Sequence, residues 1–116
     1  MYRRIFFALA ALVLLGGAAA QAHAQLERAN PRVGSTVRSA PREVTLWFSQ
    51  KLETSFSSAQ VTDASGARVD QGARVNGNQI HVSVKALSPG TYRVNWRVLS
   101  VDTHTTQGSF SFRVGQ

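Results

Sequence analysis

Asp102 and His104 stand two apart in the stretch Ser100-Val101-Asp102-Thr103-His104-Thr105-Thr106-Gln107-Gly108. In extended backbone that spacing sends a carboxylate and an imidazole to the same side of the chain, where both can ligate one metal ion. By itself the pair has a plainer reading: Asp102 accepts N–H bonds within a turn and His104 is a surface residue. His23 adds to it. It follows the small residues Ala18 to Ala22, where export signals are cut, and a chain cut after Ala22 would begin with it. A terminal histidine offers two nitrogens, its α-amine and Nδ1 of its ring, which close a chelate ring on one ion. With His104 and Asp102 the set becomes three nitrogens and one oxygen. Cu(II) favours such tetragonal sets, and among divalent first-row ions it binds nitrogen most tightly.

Sulfur sharpens this reading. The chain has no Cys, and its single Met is Met1, so a chain starting at His23 holds no sulfur. Cuprous ion prefers thiolate or thioether ligands, so copper held here would use nitrogen and oxygen. The missing Cys also excludes disulfides, thiol catalysis and iron–sulfur clusters.

Residues 1–22 read as a cleaved signal peptide. Met1-Tyr2-Arg3-Arg4 is a basic start, and Ile5 to Leu15 is an unbroken apolar run, too short for a membrane span of about 20 residues. Two cuts fit the small-x-small rule: after Ala22, releasing His23, or after Ala24, releasing Gln25. Arg3 and Arg4 leave with the signal in either case. From His23 onward eleven basic and six acidic residues remain, a net charge of +5. These arginines stand singly among apolar residues, as on a solvated sheet face, so nucleic acid is not an expected partner. No stable membrane insertion is expected after cleavage.

The elements that must position these residues are strands. Glu43 to Ser49, Ser58 to Thr62, Gln79 to Lys85, Tyr92 to Ser100 and Ser109 to Val114 alternate apolar and polar side chains, with Gly, Asn, Asp and Pro between them. Val44, Leu46 and Phe48 share one face. Ile80, Val82 and Val84 point inward, leaving His81 outward, where it reads as an exposed strand histidine. Tyr92, Val94, Trp96 and Val98 share a face, as do Phe110, Phe112 and Val114. No stretch has a helical period. The expectation is one all-β domain over 23–116, an immunoglobulin-like Greek-key β-sandwich of about seven strands. Leu87 to Tyr92 resembles the tyrosine-corner turn of such sandwiches. A core this size leaves no room for a deep pocket, so chemistry belongs on loops or edges.

These segments together resemble the CopC family of periplasmic copper-resistance proteins. The likeness runs through His23-Ala24, Asn30-Pro31, Gly34-Ser35, Ala40-Pro41, Val44 to Ser49, Phe56-Ser57, Leu87 to Tyr92, Val94 to Val98, Ser100 to His104 and Gly108 to Phe112. The resemblance implies a small β-sandwich that binds one Cu(II) ion per chain through an N-terminal histidine and an Asp-x-His loop. Carried over, the metal ligands are His23, Asp102 and His104, and cleavage falls after Ala22. It also implies a periplasmic copper sequestering or shuttling protein, not an enzyme, working beside a separate CopD-like copper permease of the inner membrane. Two positions depart from the family pattern. Ala64 to Gln79 holds no Met where some members carry a Met-rich Cu(I) loop. Gln50 stands where some members have Glu, so it is left out of the ligand set.

Two other readings compete. A terminal histidine with a second histidine resembles the histidine brace of copper oxygenases, which need an open coordination position and a broad substrate surface. The other is a metal-free immunoglobulin-like binding module.

Overall fold

Side-chain alternation decides where this chain forms strands, because a half-buried strand must send every second residue inward. The computed structural model describes residues 23–116; the expected signal peptide lies outside the described residues. Eight strands form: β1 (Leu26–Asn30), β2 (Thr36–Val37), β3 (Glu43–Phe48), β4 (Ser58–Thr62), β5 (Asp70–Asn76), β6 (Gln79–Val84), β7 (Gly90–Leu99) and β8 (Thr105–Val114). One turn of 3-10 helix spans Thr54–Phe56. Two four-stranded sheets result, in the orders β1-β3-β6-β5 and β2-β8-β7-β4. The all-β, two-sheet expectation is borne out.

The differences have local causes. The eighth strand, β2, is a two-residue piece paired in parallel with the end of β8. β8 starts at Thr105, four residues before the expected Ser109, because backbone pairing with Asn95 to Leu99 of β7 carries it. Thr105 to Ser109 are too small or polar to announce a strand by hydrophobicity.

The core lies between the sheets. Val44, Leu46 and Phe48 face inward from β3, as do Ile80, Val82 and Val84 from β6, Val94 and Val98 from β7, and Phe110, Phe112 and Val114 from β8; all are buried. Full burial of such side chains contributes about 1.5–3 kcal/mol each. Tyr92 forms the expected corner, its hydroxyl donating to the Ser88 carbonyl at 2.6 Å. The β5–β6 turn runs through Gly77 at φ +64°, in the left-handed region that glycine enters without steric cost.

Toward the end of the sandwich where β7 passes into β8, Trp96 is partly buried against Phe48, edge to face at 5.1 Å. It fits because its cross-strand partner is Gly108. A Cβ there would lie 2.5 Å from Cζ2 of the indole. Gly108→Ala is therefore expected to lower the melting temperature, at a cost of about 1–3 kcal/mol for overpacking. An unchanged melt would show that the indole moves aside freely.

Candidate metal centre

β7 and β8 are joined by a short loop whose backbone is fixed before any side chain is considered. The Ser100 N–H donates to the His104 carbonyl at 3.0 Å and the Thr103 N–H to the Ser100 carbonyl at 2.9 Å. Segment 51–57 braces it from the side: the Val101 N–H donates to the Lys51 carbonyl at 3.0 Å, and the Glu53 N–H to the Leu99 carbonyl at 2.8 Å. Thr103 has φ +75°, a conformation sparsely populated by a β-branched residue. The Asp-x-His stretch is thus a turn and not the extended segment its spacing suggested. The turn still brings the two side chains together, with Nδ1 of His104 3.4 Å from Oδ2 of Asp102.

Ser100 organises this turn. Its side chain is fully buried, and its hydroxyl hydrogen-bonds Oδ1 of Asp102 and lies 3.2 Å from the His104 carbonyl. The Ser100 hydroxyl, followed by the side chain and N–H of His104, holds the Asp102 carboxyl below the usual carboxylate range. Asp102 is therefore an anion at neutral pH.

His23 arrives from the other sheet. Ala24 behind it is fully buried, and its carbonyl accepts from the Thr106 hydroxyl of β8 at 2.8 Å. Gln25 pairs with Ser49 through backbone and side chain, its N–H donating to Ser49 Oγ at 2.8 Å and its carbonyl accepting from the Ser49 N–H at 2.9 Å. These bonds hold Ala24 and Gln25 between Thr106 of β8 and Ser49 just after β3. The His23 ring meets the His104 ring edge to face, with centroids 4.2 Å apart.

His23, Asp102 and His104 therefore lie in one cluster at one end of the sandwich, although 79 positions separate the first two in the sequence. Among the described residues, no three side chains of His, Asp or Glu converge tightly enough to enclose an ion by themselves. Chemically the cluster offers two imidazoles and a carboxylate, partly open to solvent. Sequence reasoning missed Ser100, Thr106 and Ser49, which position the cluster. Hydroxyl residues follow no spacing rule, and only the fold shows which of them face a carboxylate or an orphan carbonyl.

The third histidine sits elsewhere. His81, on the outer face of the β1-β3-β6-β5 sheet, lies between Oε1 of Glu43 and Oε1 of Gln79, each 3.0 Å away. The His81 hydrogen bond holds the Glu43 carboxyl below its ordinary range. His81→Ala is expected to leave copper affinity within about twofold of the parent, since substitutions at distant independent sites seldom couple. A large loss in chelator competition would place His81 in the site.

Fold and cluster define a class: a small two-sheet sandwich with a nitrogen-and-oxygen donor group at one end. Residues 26–115 match the CopC domain, and the chain belongs to the CopC family. It is 34% identical over 122 residues to "Copper resistance protein C" of Pseudomonas syringae pv. tomato, covering 97% of this chain and 96% of that one. Protein YobA of Escherichia coli K12 is 38% identical over 98 residues, covering 80% and 79%. The crystal structure of CopC from Methylosinus trichosporium OB3b superposes with a TM-score of 0.76 at 31% identity, covering 80% of this chain and 94% of that one. Among the described residues, no helix is long and apolar enough to cross a membrane.

Proposed function

We propose that this chain is exported to the periplasm, loses residues 1–22, and binds one Cu(II) ion through His23, Asp102 and His104, sequestering copper or passing it on. The observation that carries the reading is the meeting of the His23 and His104 rings, 4.2 Å apart, beside an ionised Asp102. Cleavage after Ala22 would supply the donor that the side chains lack, a terminal amine on the same residue as the His23 ring. The 3.4 Å between His104 Nδ1 and Asp102 Oδ2 is short enough for both atoms to ligate one ion through metal bonds of about 2 Å. The receiver of the copper would be a separate CopD-like permease, and the names of the copper-resistance relatives support a role in copper homeostasis.

A thermal scan with and without Cu(II) tests binding. A ligand that binds only the native state raises stability by mass action, by about 2.7 kcal/mol when free metal is 100-fold above its dissociation constant. The melting temperature is expected to rise with Cu(II) at neutral pH, and the rise to vanish on mild acidification. The sign follows from the donors: imidazole and amine must be deprotonated to bind metal. Asp102, with its carboxyl held low, stays charged through that window, so the loss belongs to the nitrogens. An unchanged melt at neutral pH refutes the copper reading, and persistence of the shift in acid refutes nitrogen ligation.

A further inference from the structure

The two outer faces of the sandwich carry charge differently. On the β1-β3-β6-β5 side, Arg74 lies 3.8 Å from Glu43 and Arg28 lies over the Trp47 ring at 4.0 Å. On the β2-β8-β7-β4 side no carboxylate occupies any strand position. Apart from half-buried Leu99 at the end of β7, its outward residues are serine, threonine, glutamine and asparagine around three exposed arginines: Arg93 and Arg97 on β7, and Arg113 on β8. None of the three forms an ion pair among the described residues.

The arginines are spread across the face. Arg93 and Arg97 stand four residues apart on one strand, about 13 Å at the usual rise. Arg93 pairs with Ser111, which makes Arg113 its diagonal neighbour, about 7–8 Å away. A shallow groove of about 380 Å³, lined mostly by polar residues including Gln60, Asn95, Arg97 and Gln107 and also by Trp96, continues the face toward the β7–β8 loop. The face is thus a flat array of hydrogen-bond donors with uncompensated positive charge.

Its occupant must be anionic and must bind without an apolar anchor. The exposed large hydrophobic residues, Val33, Phe56 and Val101, all lie off this sheet. Protein interfaces depend on a buried aromatic or apolar centre, and the aromatic lining this groove, Trp96, is already packed against Phe48. A layer of phosphate headgroups needs no such centre: guanidinium forks match phosphate oxygens, and each basic side chain near an anionic bilayer adds attraction.

We propose that the outer face of the β2-β8-β7-β4 sheet is a peripheral docking surface for a bilayer containing anionic phospholipid. Thr105, the first residue of β8, follows His104 directly, so the donor cluster lies at the rim of the docked face. A chain held this way would keep its metal site beside the membrane plane. The surface does not depend on the copper reading and is tested without metal.

The test is partition of the secreted protein onto vesicles, measured by co-sedimentation at low ionic strength. Vesicles contain either zwitterionic phosphatidylcholine alone or a mixture with anionic phosphatidylglycerol. Binding to the mixed vesicles only is expected, with release as salt screens the charge. The triple variant Arg93→Gln, Arg97→Gln, Arg113→Gln is expected to bind at least tenfold more weakly. The matched triple Arg32→Gln, Arg42→Gln, Lys85→Gln removes the same charge elsewhere and is expected to stay within about threefold of the parent. Replacing the three face arginines by lysine should retain most binding, and a thermal melt confirms that each variant folds. Equal losses in the two glutamine triples would mean attraction by net charge alone and overturn the assignment. So would absence of binding to anionic vesicles, or binding to polyglutamate in its place.

Discussion

A form carrying one extra glycine ahead of His23 is expected to bind Cu(II) at least about 100-fold more weakly than a form that begins with His23. The estimate rests on outer-shell changes, which typically cost 10–100-fold in metal affinity; loss of a direct donor costs more. The extra residue would turn the His23 amine into an amide and so remove the chelate proposed between that amine and the ring. It leaves the protein otherwise intact, because Ala24, Gln25 and their bonds to Thr106 and Ser49 are untouched. Chelator competition gives the affinity, and electron paramagnetic resonance should show fewer nitrogens coupled to copper. Intact mass establishes the parent's first residue. A parent beginning at Gln25 would lack His23 altogether, and equal affinities of the two forms would exclude the amine from the site.

His104→Ala is expected to reduce affinity by a similar factor, at least about 100-fold on the same reasoning. His104 is half exposed, and the backbone bonds that close its loop do not use its ring, so the apo melting temperature should hardly move. Asp102→Asn separates the contributions. It keeps the size of the side chain and removes the charge that the Ser100 hydroxyl stabilises. A smaller loss of about tenfold is expected because the amide keeps an oxygen donor in place and loses only the charge, with little change in the pH at which binding fails, because that pH reflects the nitrogen donors. Full affinity in His104→Ala would sink the three-residue site. An acid midpoint displaced in Asp102→Asn would mean that the carboxylate titrates with the metal.

The legible part of this protein was its strands. β3, β6 and β7 show plain alternation, and their inward apolar residues are buried, apart from the partly buried Trp96. The tyrosine corner was readable because Leu87 to Tyr92 combines a turn with an aromatic at a fixed offset, and Tyr92 does bond Ser88. β1, β2 and β5 were not singled out. β5, Asp-Gln-Gly-Ala-Arg-Val-Asn, is an edge strand held by backbone pairing to β6, and most of its side chains face solvent. Apolar alternation cannot signal a strand that buries so little.

The candidate ligands were readable as residue types: an imidazole beside a cleavage motif, and a carboxylate and imidazole two apart. Their mutual placement was only half readable. The sequence by itself determined that the chain forms a β-sandwich, without sulfur from His23 onward and with its chemistry outside the core, because side-chain period and composition are local properties. Only the tertiary structure decided that His23 reaches His104, that a turn and not an extended strand joins Asp102 to His104, and that the Ser100 hydroxyl bonds the Asp102 carboxylate. Those facts depend on which strand ends the two sheets bring together, and long-range backbone pairing and buried hydroxyls leave no periodic trace in sequence.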